Sequence, residues 1–181
     1  MNYEKTIQLK DGTPCLLRAA GRDDTREVMD VFARSHGETD YLLTYPEEMS
    51  ASVEAEGAFL EGKKQSACEI EICAVVDGRI VGTAGIGIVR DREKTRHRCE
   101  FGISVLKAFW GRGIGLAMTE ACIECARRAG FVQMELEAVA DNAAAISLYE
   151  RVGFVEYGRN PKGFRSRLTG WQELVLMRLE L

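Results

Sequence analysis

Gly111-Arg-Gly-Ile-Gly115 constrains this chain more than any other stretch of its 181 residues. An alternating run precedes it, with Cys99, Phe101, Ile103 and Val105 on one side and Arg98, Glu100, Gly102 and Ser104 on the other, so the pattern predicts a strand. Behind it Ile114, Ala117, Met118, Ala121, Cys122 and Cys125 recur at helical spacing. A strand that turns through alternate glycines into a helix leaves backbone N–H groups free at the positive end of the helix dipole, and phosphate is the usual anion there. Glycine lets the anion reach the backbone. The same glycines also suit a merely tight connection. A P-loop is excluded, because Leu116 and Ala117 follow Gly115 where Lys and Ser or Thr are required. A dinucleotide fingerprint is excluded too, since the glycine spacing is wrong and the loop lies past the middle of the chain.

The length suits one domain over residues 1–181 with a substantial core. A net charge of −4 argues against a nucleic-acid surface and for a cationic or neutral partner. No apolar run approaches a membrane span and no signal-peptide core opens the chain, so the expected compartment is the cytoplasm. Six cysteines are then expected as reduced thiols. Cys122-x-x-Cys125 lies on the apolar stripe of the predicted helix with no second ligand pair, so no metal is expected.

Thr6–Leu9 and Cys15–Arg18 read as a hairpin about Asp11-Gly12. Asp23 and Asp24 precede a helix ending near Gly37, and Pro46 is expected to open a second helix running to Gly62. Between them lie Glu38, Asp40, Tyr41 and Tyr45, whose charges and rings would suit an amine; a solvated connection is the alternative. Glu69–Val76 and Ile80–Val89 form a strand pair about Asp77-Gly78, the second with interior glycines Gly82, Gly85 and Gly87. Val132–Ala138 alternates as another strand, Asn142 caps a short helix from Ala143 to Val152, and Phe154–Tyr157 and Trp171–Leu179 close the chain across an irregular Gly/Pro/Arg-rich segment.

The order Glu100–Val105, Trp110-Gly-Arg-Gly-Ile-Gly-Leu-Ala117, then Asp141-Asn142 through Leu148-Tyr149 to Gly153-Phe154 resembles the GCN5-related N-acetyltransferase (GNAT) superfamily over nearly the whole chain. Gly113 and Gly115 fall on that family's pyrophosphate motif, with Trp110 in the slot usually held by Gln or Arg. The resemblance implies an α/β (α+β) fold. Its central mixed, mostly antiparallel β-sheet would splay between Glu100–Val105 and Val132–Ala138, flanked by about four helices. It implies acetyl-CoA as cosubstrate, with CoA as product. The cofactor arm would pair with Ile103, Ser104 and Val105, the pyrophosphate with the N–H groups of Gly111, Arg112, Gly113, Ile114, Gly115 and Leu116, and the arm would also meet Asn142.

The implied activity is an acetyl-CoA-dependent N-acetyltransferase, in which a primary amine of a small molecule or peptide attacks the thioester directly. A strand N–H near Val105, freed by a bulge, would hold the oxyanion, and Tyr149 would protonate the departing sulfur. Tyr149 as an ordinary core residue is the alternative. Glu100 is the candidate base, against Glu69, Glu71, His97 or a water, and an exposed or salt-bridged Glu100 is the competing reading. Another acyl-CoA donor, a CoA-binding sensor or scaffold without activity, and a homodimer all stay open at this point.

Overall fold

The structure, a computed structural model, describes residues Met1–Leu181. Its strands are β1 (Glu4–Gln8), β2 (Pro14–Ala19), β3 (Ile70–Val76), β4 (Arg79–Ile88), β5 (Arg98–Val105), β6 (Gln133–Val139), β7 (Val155–Ser166) and β8 (Gly170–Glu180). They form one eight-stranded sheet in the order β1-β2-β3-β4-β5-β6-β8-β7. Every neighbouring pair is antiparallel except β5 and β6. Helices α1 (Thr25–Glu38) and α2 (Val53–Gln65) come between β2 and β3, α3 (Ile114–Arg128) between β5 and β6, and α4 (Ala143–Arg151) between β6 and β7. None of them is long and apolar enough to cross a membrane.

Two apolar clusters hold the layers together. Ile70, Ile72, Ile86, Met118, Cys122, Met134 and Met177 belong to the larger, which α3 closes with the apolar stripe visible in its sequence. Val28, Val31, Leu60, Cys73, Ile80 and Leu106 form the smaller, under α1 and α2 on the opposite face. Burying each large aliphatic side chain contributes about 1.5–3 kcal/mol. The sheet therefore carries a helix layer on both sides. A substrate arriving on one face meets a group bound on the other only where the sheet opens.

It opens at the one parallel step. The β5–β6 ladder pairs Arg98 with Gln133, Cys99 with Met134 and Glu100 with Glu135, and goes no further. β5 continues to Val105 paired only with β4, in unbroken register from Cys99↔Ile88 to Val105↔Gly82. The expected bulge in β5 is therefore absent, and divergence from β6 frees its N–H groups instead.

Two expected elements differ. Pro46 starts only a single 3₁₀ turn, Pro46–Glu48, and α2 begins at Val53, because the Ser52 hydroxyl accepts the Ala55 N–H at 3.2 Å and makes the better cap. The Gly/Pro/Arg-rich segment after Tyr157 is not irregular: β7 runs through it to Ser166. Register shifts at Glu156/Gly158 and Asn160/Phe164 absorb the glycines and Pro161, and β7 is an edge strand, where a missing N–H leaves no neighbour unpaired.

Candidate active site

Backbone direction fixes which peptide groups of β5 face the split. Leu106 N–H donates to Val81 O and Val89 N–H to Arg98 O, so even-numbered residues of β5 turn their peptide groups toward β4. By alternation Ile103 and Val105 turn theirs into the split. The Trp110 indole N–H donates to Val105 O at 2.7 Å, tying the glycine loop to the end of the strand. Trp110 thus has a structural use in the slot where Gln or Arg was expected.

Gly111 lies at φ +73° and Gly113, the N-cap of α3, at φ +101°, conformations that only glycine adopts cheaply. A side chain on Gly111 would meet no heavy atom within 4 Å, and one on Gly113 only Lys10 Cγ at 4.0 Å, so the loop is an open cradle. Its first closed helical bond is Ala117 N–H to Gly113 O; the N–H groups of Ile114, Gly115 and Leu116 remain free at the positive end of a 15-residue helix. This donor set fits a pyrophosphate. The Arg112 side chain does not join it: its guanidinium donates to Asp11 at 2.5 Å and Thr13 at 3.2 Å and lies 5.2 Å over the Phe109 ring. Only the Arg112 backbone is left for an anion.

From the other bank, Asn142 caps α4 by accepting the Ala145 N–H at 3.3 Å, which aims the helix into the split. Tyr149 stands on that helix, 9 % exposed, edge-on to Phe101 at 6.1 Å and tilted against Phe154 at 5.8 Å. Its hydroxyl has no protein partner, and burial pushes its pKa up to about 12. A phenol so placed is fully protonated at neutral pH and free to donate.

Asn142, Ala145 and Tyr149 share one cavity of about 680 Å³ with Ile103, Ser104, Glu71 and Glu100. It passes through the split from the α4 side to the face carrying α1 and α2. Gly85, Gly87 and Gly102 leave the floor of that face bare. Carboxylates Glu71, Glu100, Glu135 and Glu137 border it, and Lys63 is the one lysine or arginine among its walls. Glu135 is held in a two-pronged pair with Arg98, which keeps its carboxyl below the usual range; Glu100 is exposed. His36 also lines the wall as a half-buried ring stacked on Phe32 at 3.7 Å, its pKa lowered by partial burial.

Of the four residues expected at the amine pocket, only Tyr41 lines the cavity, beside Leu42 and Leu43. Glu38 accepts the Lys107 N–H at 2.6 Å. Asp40 accepts from Ser166 at 2.7 Å, Thr169 at 3.0 Å and Gln172 at 3.1 Å. The Tyr45 hydroxyl accepts the Arg167 N–H at 2.8 Å, and Arg167 lies 4.1 Å over its ring while pairing with Glu47. Asp40 and Tyr45 strap the α1–α2 segment to the β7–β8 turn, Glu38 ties it to the turn after β5, and Tyr41 is left at the cavity wall. Residues far apart in sequence satisfy these groups, so no local pattern announces it.

Cys122 and Cys125 are fully buried on α3, and all six cysteines are free. Burial pushes Cys99 up to about 12 and Cys125 up to about 11, so neither supplies a thiolate nucleophile at neutral pH.

A split sheet with an open loop of free N–H groups on one bank, an unpaired tyrosine on the other and an acidic trough beneath has the groups that a CoA-dependent acyl transfer requires. Residues 28–154 match the model of the Acetyltransferase (GNAT) family. The L-methionine sulfoximine/L-methionine sulfone acetyltransferase of Pseudomonas aeruginosa (strain PAO1) is 26% identical over 165 residues, 91% of this chain and 94% of that protein. The L-amino acid N-acetyltransferase of Escherichia coli (strain K12) is 33% identical over 93 residues, 51% of this chain and 57% of that protein. Among solved structures, a GNAT-family acetyltransferase from Streptococcus pneumoniae superposes with a TM-score of 0.88 at 27% identity, covering 92% of this chain and 99% of that one. The chain belongs to the GNAT acetyltransferase family and is an acetyl-CoA-dependent N-acetyltransferase.

Proposed function

We propose that this enzyme acetylates the primary amine of a small amino-acid-like molecule. The observation that carries this is the cavity of about 680 Å³ itself, a size that suits a small molecule, with Tyr41 in its wall beside the segment that Asp40 and Tyr45 strap to the β7–β8 turn. The names of the relatives, acetyltransferases of L-methionine derivatives and L-amino acids, support the same class.

The cosubstrate supplies an acetyl group already activated as a thioester. The backbone N–H groups from Gly111 to Leu116 bind its phosphates, and the free edge of β5 at Ile103 to Val105, with Asn142 opposite, holds its arm in the split. An N–H at Ile103 or Val105 donates to the carbonyl oxygen as negative charge develops there. Tyr149 gives its proton to the departing sulfur. Glu100, on the exposed rim of the trough, draws the cationic amine toward the split. Six free thiols suit a reducing cytoplasm.

Thiol release from acetyl-CoA, measured across L-methionine sulfone, L-methionine, other free L-amino acids and short peptides with a free N-terminus, tests the acceptor class. The free amino acids and their derivatives are expected to have the highest kcat/KM. Faster turnover of the peptides would transfer the assignment to protein N-termini.

A further inference from the structure

The cavity holds a second carboxylate better placed for proton transfer than Glu100. In the β3–β4–β5 register Glu71 faces Gly85, which faces Gly102, while Glu100 faces Gly87 in the next row out. Rows on one face repeat every two residues, about 6.8 Å along a strand, so Glu100 stands that much farther from the free end of β5 at Val105. Glu71 leans over β4 in the space that a side chain at position 85 would fill: a Cβ on Gly85 would lie 2.1 Å from Glu71 Oε2. Over Gly102 no heavy atom comes within 4 Å of the missing side chain. The carboxylate is therefore about one strand spacing, roughly 5 Å, from the β5 backbone, with open cavity between.

Lys63 holds it there. Its ammonium is 3.4 Å from Glu71 Oε2 and donates to Ile86 O at 3.2 Å, lying 5.1 Å over the Phe59 ring. The two side chains are only 14% and 16% exposed. An ion pair so far removed from water adds little net stability, so stability does not explain why it is here. We propose that Glu71 is the proton acceptor for the incoming amine, positioned by Lys63 and by the absence of a side chain at Gly85. This rests on the acetyl-transfer reading of the cavity and adds the base to it.

The acceptor enters as an ammonium and leaves as an amide, giving up two protons. One passes to the Glu71 carboxylate and on to solvent, freeing the nitrogen lone pair. As the N–C bond forms and the C–S bond breaks, the second proton leaves the nitrogen for solvent, the sulfur receives one from Tyr149, and the Tyr149 phenolate regains a proton from solvent, so the net release is one proton per turnover. Burial raises the Glu71 carboxyl above the ordinary range and Lys63 holds it down; the net direction is up, toward the pH at which a base works best. The other groups facing it are Glu56 on α2, which raises it further, the Thr83 hydroxyl on β4, and Glu100 across β4. Cys73 and Cys122 are buried thiols with raised pKa, neutral at working pH.

The test is the pH profile of kcat/KM for wild type, Glu71→Gln and Lys63→Met, with acetyl-CoA and whichever of L-methionine sulfone, L-methionine and a short free-N-terminus peptide the wild type turns over fastest. Glu71→Gln is expected to lower kcat/KM about 100-fold and to remove the acid limb. Lys63→Met is expected to move that limb to higher pH, because the cation that favours the ionised carboxylate is gone. Calorimetric affinity for acetyl-CoA should be unchanged in both. Glu71→Gln keeping its rate within about three-fold, or a limb that stays in place in Lys63→Met, overturns the proposal. If Glu71→Gln does not fold, the Lys63→Met profile decides alone. A wild type that binds acetyl-CoA and acetylates none of the probes overturns the acetyl-transfer reading itself, and the base assignment with it.

Discussion

Tyr149→Phe lowers kcat by about 10²–10⁴-fold while leaving acetyl-CoA affinity intact, the range expected when a positioned proton donor is removed. The ring is what packs against Phe101 and Phe154, and Phe keeps the ring. The hydroxyl bonds to no protein group, so its removal leaves no buried donor or acceptor stranded and stability should hold. In the proposed mechanism its contribution is made as charge builds on the departing sulfur. The loss therefore falls on kcat and kcat/KM together, with calorimetric binding of acetyl-CoA close to wild type. A variant with wild-type kcat would make Tyr149 a core residue with a chance opening to the cavity.

Gly113→Asp abolishes the rise in melting temperature that CoA produces in the wild type. Binding to the native state alone stabilises it by mass action, so the CoA-induced shift reports on the cradle directly. At φ +101° any side chain is strained, and the variant will melt lower even without ligand. Gly113→Asn carries nearly the same bulk and strain without the charge. The Asn variant should retain weak binding and the Asp variant none, because a carboxylate among free N–H groups both occupies and repels the phosphate position. Equal CoA shifts in wild type and Gly113→Asp would place the phosphates elsewhere.

The parts of this enzyme legible in its sequence are those fixed by local chemistry. Alternation over Cys99–Val105, the glycines at 111, 113 and 115 and the apolar stripe from Ile114 to Cys125 each specify an element through their own backbone, and together they build one bank of the split. The acceptor side depends on contacts between distant segments. Asp40 carries charge in a loop, which sequence reads as recognition; it is three hydrogen bonds to residues about 130 positions later that make it a strut. Lys63 gives no sign of facing a cavity, because α2 turns it toward a strand that folds beside it only in three dimensions. Gly85 offered a signal of a sort: a glycine inside a strand marks close approach, and what approaches is the Glu71 carboxylate. Pro46, a favourable N1 residue, starts no long helix because a better-capped start, Ser52, lies six residues on.

In the mechanism proposed above, the amine reaches the split from the trough and attacks the thioester directly, with no acetylated enzyme between. The test is a set of initial rates with acetyl-CoA and L-methionine sulfone, or the best amine of the panel, both varied. Direct attack requires both substrates in the cavity at once and predicts double-reciprocal lines that intersect. Parallel lines, together with an acetylated protein trapped when the amine is withheld, would mean a covalent intermediate on a side chain of the enzyme and would contradict it.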